Sequence, residues 1–500
     1  MVKSAVHKSP VQLLGTTSDV VAPLDPTDLP EEEFHWSSVM LAEVIERGSR
    51  LEASVFNIEG RHARKLIDQC KWEQTVISGE TGLSTAYHRP RFKRIWVDKP
   101  GIPIFQPSQI TEINPKPSGY ISYKTNTDID ALKVHKGQIL LTCSGTIGRT
   151  ALVGKTLDGQ IFSHDLLRIT CKEHHDTGYL YAFLKTQTGK ALIRTSEYGA
   201  VVSHIEPEHL ESIPIPNPPP ILKRKVHDLI MNSYALRDES NDLLSEAERL
   251  LYDALKLPPL EKLRQHAFDG KPNLLNYQVN LSQIDGRLDA SYHIPVIDSI
   301  MRLLKKKALA VTVIGNPKIS KRIIHPARFA RVYVKEGQGV PFFSGKQICE
   351  LDPSTKKYLS LAKHRDRVEH DLKLTANMTI ITRSGTIGKV ALVPEHWNEL
   401  IASDDIIRVE PSSPEIGGYL FIFLASEYGR ELLLRFMYGS VQKHIEDHHV
   451  AQTPVPLLKD SSVQSKINRL ALEANAKRTE AYHAEQKAIR ITNEEVIHSH

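Results

Sequence analysis

Ser144-Gly145-Thr146-Ile147-Gly148 returns as Ser384-Gly385-Thr386-Ile387-Gly388, and this return decides the fold. The match continues on both sides in the same order. Arg50-Leu51-Glu52-Ala53-Ser54 answers to Arg287-Leu288-Asp289-Ala290-Ser291. His88-x-x-Arg91-Phe92-x-Arg94-x-x-Val97 answers to His325-x-x-Arg328-Phe329-x-Arg331-x-x-Val334. Gly178-Tyr179-Leu180 answers to Gly418-Tyr419-Leu420, and His204-Ile205-Glu206 to His444-Ile445-Glu446. The offset drifts only from 237 residues at Arg50 to 240 at Ser144. A colinear repeat of this period is a tandem duplication of a whole domain, not a solenoid of small units. A duplicated module suits a target with two similar parts.

Outward from the repeated turn, Gln138–Thr142 and Thr150–Val153 read as strands, as does Gly101–Phe105. Gly145 and Gly148 permit the tight connection between the first two. Tyr179–Tyr198 has helical spacing and ends near Gly199. Each copy is therefore an α+β domain of mixed helices and strands. The expected boundaries are a tail at 1–33, rich in Pro, Ser, Thr and Asp, a first copy at 34–216, a helix and connector at 217–275, a second copy at 276–456, and a helix and tail at 457–500.

The helices follow from a second period. Leu222, Val226, Leu229, Ser233, Leu236, Ser240, Leu243, Ala247, Leu250 and Ala254 recur in steps of four and three. Val463, Ile467, Leu470, Ala474, Lys477, Ala481, Ala484, Ala488 and Ile491 do the same after the second copy. Both are heptad seams, each roughly 45–50 Å long at 1.5 Å per residue. The order domain–helix–domain–helix predicts an antiparallel coiled coil with one domain at each end and approximate twofold symmetry.

Composition is that of an ordinary globular protein, 40% hydrophobic and 25% charged, with net charge +5. No apolar run is long enough for a membrane span, and residues 1–30 lack a signal-peptide core, so a cytoplasmic protein is expected. Cys70, Cys143, Cys171 and Cys349 are scattered and do not repeat, which argues against a disulfide framework. Charge distribution is more informative than its sum. HRPRFKR at 88–94 and KISKRIIHPARFARVYVK at 318–335 contain no acid, fall at the same place in both copies, and are interleaved with Phe92, Trp96, Phe329 and Tyr333. That recurrence points to a polyanion surface.

Catalytic motifs are weak. Asn217-Pro-Pro-Pro220 lacks the aromatic residue of an Asn-Pro-Pro-aromatic methyltransferase motif and reads as a helix boundary. Ser-Gly-Thr-Ile-Gly is neither a phosphate loop nor a hydrolase elbow. His444, His448 and His449 have helical metal spacing, but nothing completes a site, so no metal is expected. Asp165 and Asp405 have no nearby Glu-x-Lys and read as turn or hydrogen-bonding residues.

The paired Arg-Leu-acid-Ala-Ser segments, the paired Arg-Phe-x-Arg segments, the paired Ser-Gly-Thr-Ile-Gly turns and the domain endings at 199–216 and 439–456 together resemble the specificity subunit of a Type I DNA restriction–modification system. The resemblance covers about Phe34–Ile491. It implies a non-catalytic subunit with two target recognition domains, each reading one half of an asymmetric bipartite site in double-stranded DNA. It implies two methyltransferase subunits as partners, and restriction motor–nuclease subunits. S-adenosylmethionine, ATP and Mg²⁺ would belong to those partners, and this chain would bind no cofactor of its own. The alternatives are the specificity factor of another phage-defence methylation system, an autonomous methyltransferase or nuclease, and a scaffold that never touches DNA.

The DNA candidates in the first copy are Arg89, Arg91, Lys93, Arg94, Lys124, Asn126, Ser144 and Thr146. In the second they are Lys321, Arg322, Arg328, Arg331, Lys346, Lys356, Lys357, Arg365, Arg367, Ser384, Thr386 and Lys443. Positions shared by both copies suit phosphate contacts, and positions where the copies differ suit base reading. Leu229, Leu236, Leu243, Leu250, Ile467 and Leu470 are the expected helix-pairing and partner-binding positions.

Overall fold

The computed structural model describes residues 39–46, 53–196, 203–268, 276–284, 286–353 and 357–499. The 1–33 tail, Arg50-Leu51-Glu52 and Lys356 lie outside the described residues. Two halves share one strand order. In the first, Ser84–Tyr87, Leu166–Cys171, Ile139–Thr142 and Thr150–Leu152 form an antiparallel sheet in that order. In the second, Ser320–Ile324, Ile406–Pro411, Thr379–Thr382 and Val390–Leu392 repeat it. Ile139–Thr142 and Thr379–Thr382 are buried at every position. Apolar contacts from both faces explain their continuous hydrophobic runs.

A smaller sheet sits beside each. Trp96–Val97, Gly119–Ile121 and Ile102–Ile104 form it in the first half. Tyr333–Val334, Lys357–Leu359, Val340–Phe343 and Ile401–Ala402 form it in the second. The Ser-Gly-Thr-Ile-Gly segment joins paired strands in both halves, with Gly145 at φ +69° and Gly385 at φ +71°. Nothing lies within 4 Å of a Cβ added at either glycine, so the left-handed backbone alone favours glycine there.

One expected helix is two. His174–Lys185 stops where Thr186 accepts a hydrogen bond from Gly189 N at 3.0 Å and starts Gln187–Thr195. Ser426 and Gly429 repeat the break between Pro414–Ala425 and Glu427–Leu434. The capping hydroxyl competes with helix continuation, a signal that apolar spacing alone conceals.

The central helix, Pro220–Leu255, and the C-terminal helix, Ser461–Ile491, run antiparallel. Lys225 pairs with Glu495, Arg237 with Glu485, Lys477 with Glu239 and Lys466 with Glu246. As residue numbers rise along one helix they fall along the other. Pro220 occupies the first turn, as the Asn-Pro-Pro-Pro boundary predicts.

Each helix starts against its own half and ends inside the other. The start depends on close approach. A Cβ on Gly178 would lie 2.5 Å from His227 Cα, and one on Gly418 2.4 Å from Asn468 O. Gly178 N donates to His227 Nδ1 at 3.2 Å and Gly418 N to Asn468 Oδ1 at 2.8 Å. At the far ends, Leu251, Leu255 and Leu257 enter the second half's core, while Ala488, Ile491, Val496 and Ile497 enter the first half's.

The seam is broader than a strict heptad. Ile230, Leu251 and Leu255 are buried beside it, whereas Leu229, Leu243 and Leu250 are only partly buried. Ile467 is fully buried and Leu470 is 7% exposed, both inside the second half's core cluster, while Leu236 packs with Leu351 and Ala481. These three belong to the interior rather than to a partner-facing surface. The helices lie against the halves as well as each other, and that widens the buried stripe. Among the described residues, no helix is long and apolar enough to cross a membrane.

Candidate nucleic-acid interface

The basic run follows the edge strand of the large sheet in the first half and includes that strand in the second, and in each a histidine just past the strand pins it. His88 Nε2 lies 2.9 Å from Glu206 Oε2, and His325 Nδ1 lies 2.9 Å from Glu446 Oε2. Those glutamates cap Pro207–Leu210 and Asp447–Gln452. His209 Nδ1 and His449 Nδ1 accept from the backbone N–H groups of Glu206 and Glu446, each at 3.1 Å. The helically spaced histidines are therefore partly caps. Burial and neighbouring His448 hold His449 at about 4, which leaves its ring neutral and able to accept. The repeated glycine turn joins the same place through the bridges Ser144–His204 and Ser384–His444.

The second half carries more charge pairs here. Arg383 reaches Glu446 at 2.7 Å and Asp405 at 3.4 Å, and Ser384 Oγ donates to Asp405 at 3.0 Å. Partial burial raises the Glu446 carboxyl, but hydrogen bonds from Tyr438 and Arg383 and the charge of Arg383 bring it down to about 2. The first half has Cys143 where Arg383 stands. Partial burial, with Asp165 and Glu206 nearby, pushes that thiol up to about 12 and keeps it uncharged at neutral pH. His325, Glu446 and Asp447 could group around a cation by distance. Glu446 is already held by Arg383, Tyr438 and His325, so the arrangement is explained without one.

The structure divides the sequence candidates. Arg91, Lys93, Lys124, Asn126, Thr146, Arg328, Lys346, Lys357, Arg365, Thr386 and Lys443 are exposed. Lys357 also stacks over Tyr333 at 4.8 Å. Arg89, Arg94 and Ser144 are half-buried. Arg89 lies over Tyr87, and Arg94 donates to Gln106 at 3.3 Å.

Others are engaged within the fold. Arg331 holds Asp404 at 2.6 Å, and the Asp404 side chain is 2% exposed, so Arg331 neutralises a buried carboxylate. Arg367 donates to Ala327 O at 2.9 Å and lies over Phe329. Ser384 is committed to Asp405. Lys321 and Arg322 both face Glu410, at 3.0 and 3.4 Å, in an exposed group that leaves them open to water.

Equivalent sequence positions are thus not equivalent in charge. Asp404 satisfies Arg331, whereas His164 stands at its place in the first half, and among the described residues Arg94 has no ion pair. Burial, opposed by the charge of Asp165 at 3.3 Å and assisted by Arg94, Arg91 and His88, keeps the His164 ring below its ordinary value. Sequence reasoning missed His164, Arg383 and the aromatic Tyr123, 74% exposed, whereas Trp96, singled out within the basic run, is 52% exposed. A large aromatic beside Arg94 and Lys124 was the available signal.

Residues 89–229 match the family described as the Type I restriction modification DNA specificity domain. No curated protein matches the chain. Among solved structures, the chain is similar to a Type I restriction–modification S subunit from M. genitalium, with 12% identity, 86% of this chain and 96% of that one covered, and a TM-score of 0.30. It is similar to a chain from a study of complex assembly and conformational transition of the type I R-M system, at 15% identity, 85% and 97% coverage and TM-score 0.26. It is also similar to the HsdS subunit from Thermoanaerobacter tengcongensis, at 14% identity, 85% and 100% coverage and TM-score 0.24.

Proposed function

We propose that this chain, which carries the Type I restriction modification DNA specificity domain at residues 89–229, is the non-catalytic DNA-recognition subunit of such a system. The carrying observation is that the strand order of the matched half recurs in the second half. Each half is a target recognition domain at 34–216 or 276–456 and reads one half of a bipartite, asymmetric site. The helix pair is the coiled-coil spacer between them. Two methyltransferase subunits dock on the assembly and supply S-adenosylmethionine chemistry. Restriction subunits supply ATP- and Mg²⁺-dependent cleavage. Arg91 and Arg328 contact phosphates, because they are exposed, occupy equivalent places and carry no ion pair among the described residues. The unlike loops holding Lys124 and Asn126, or Lys357 and Arg365, read bases.

The decisive experiment exchanges residues 50–216 for the same region of a related chain and maps methylated DNA. One half of the recognised motif changes and the other stays. Methylation by this chain without a methyltransferase subunit would support the autonomous-enzyme alternative. Simultaneous change of both half-sites would reject one domain per half-site. A second measurement separates phosphate binding from base reading. Arg91→Ala with Arg328→Ala weakens binding to all DNA sequences and flattens the salt dependence by about 0.9 in log–log slope for each phosphate that is no longer neutralised. A changed motif with an unchanged slope would make these residues base readers.

A further inference from the structure

Each half extends a tongue toward the other, and the tongues meet at equivalent residues. Glu112 and Glu350 form an antiparallel bridge, and Ile113 N donates to Cys349 O at 2.9 Å. Lys389 reaches Glu112 at 2.7 Å, while Arg149 reaches Glu350 at 3.3 Å. Arg149 and Lys389 follow the repeated turn at the same place in their copies. The acid of each half therefore meets the base of the other. Reciprocal contact between equivalent residues marks a twofold relation, here within one chain.

The meeting point is held from below. Ile113 and Leu351 pack with Leu236 and Ala481 of the two long helices. Asn241 Nδ2 donates to Ile113 O at 2.9 Å, and His396 Nε2 lies 2.8 Å from Leu351 O. The Glu350 side chain is 2% exposed and that of Glu112 10%. A cavity of about 670 Å³ beside them is lined partly by Glu112, Glu350, Lys389 and Arg478.

We propose that this reciprocal clasp is a second determinant of site specificity, setting the number of unread base pairs between half-sites together with the helices. This rests on the DNA-recognition reading above. The physical need comes from the lever length. The central helix spans about 54 Å. A bend of about 7° at its midpoint would swing one end sideways by about 3.4 Å, comparable to the rise of one base pair, and would tilt the half carried there by the same angle. Long helices commonly curve, so the helix pair alone is a soft ruler. The clasp connects the halves directly beside the helix midpoints and blocks that bend.

The test uses the full chain with its methyltransferase subunits and DNA in which the gap varies by one base pair at a time. Glu112→Lys with Glu350→Arg places like charges across both ion pairs. Preference for one gap falls by roughly 10- to 100-fold, about one decade for each broken pair. Adding Lys389→Glu and Arg149→Glu reverses the charges and restores selection. A clasp-broken variant that melts like wild type and keeps one gap would overturn the proposal.

A second variant reads the geometry without DNA. Residues 113 and 349 lie opposite each other at the bridge, within disulfide reach. Ile113→Cys forms a disulfide with Cys349 on mild oxidation, located by peptide mass against Cys70, Cys143 and Cys171. Absence of that bond would overturn the clasp. If wild type selects no two-part site, the recognition reading fails and the cross-link still decides the geometry.

Discussion

Glu485→Ala lowers the stability of the folded chain by about 3–5 kcal/mol, the penalty for leaving buried cations without their counter-charge. Glu485 projects from the C-terminal helix toward the first half, and its side chain is 2% exposed. It accepts from Tyr181 Oη and Arg237 Nη2, both at 2.5 Å, and lies 3.4 Å from Lys185 Nζ. Burial opposes its charge, but Lys185, Arg237 and the Tyr181 hydrogen bond hold its carboxyl at about 2. The expected midpoint loss is roughly 10 °C, at about 2–4 °C per kcal/mol for domains of this size. Thermal melting checks it, and a loss below about 1 kcal/mol would show that the cluster is open to water.

The pH dependence carries a definite sign. A carboxyl depressed in the fold contributes fully above its unfolded value, near 4.5, and loses that contribution as pH falls toward about 2. The difference between wild type and Glu485→Ala therefore shrinks over that window. Replacing Glu485, Arg237 and Lys185 together by methionines costs less than removing the acid alone, because no orphaned charge remains.

Seven residues inserted into the central helix alone disrupt the chain, whereas matched insertions in both long helices preserve it. The helices share a buried contact, and each is fixed at both ends. His227 and Asn468 hold their starts against Gly178 and Gly418. Leu255 and Val496 hold their ends in opposite halves. A single heptad creates a mismatch of about 10 Å between elements that share both endpoints. The double insertion keeps the heptad phase and separates the halves by about 10 Å, roughly three base pairs. It also pulls apart Glu112–Lys389 and Arg149–Glu350. The expected methylation pattern has unchanged half-sites, a wider gap and weaker preference for one length. An unchanged gap with full activity would remove the helices from distance setting. A well-folded single insertion would show that one helix end is not fixed by its core.

Sequence by itself determined the repeat, the strands around each Ser-Gly-Thr-Ile-Gly turn and the two long helices. Those features depend on local periodicity, glycine conformations and proline placement, all written in neighbouring residues. It also located the basic runs, because charge accumulates in sequence before the chain folds. Tertiary structure decided which charges remain open to a partner. Arg94 and Arg331 occupy the same motif position, yet among the described residues only Arg331 meets a buried aspartate, because Asp404 stands where the first half has His164. It also joined Glu112 to Lys389 and Arg149 to Glu350 across 277 and 201 residues. Ion pairs have no sequence period. They are selected only when packing brings distant side chains together and removes enough water for their charges to matter.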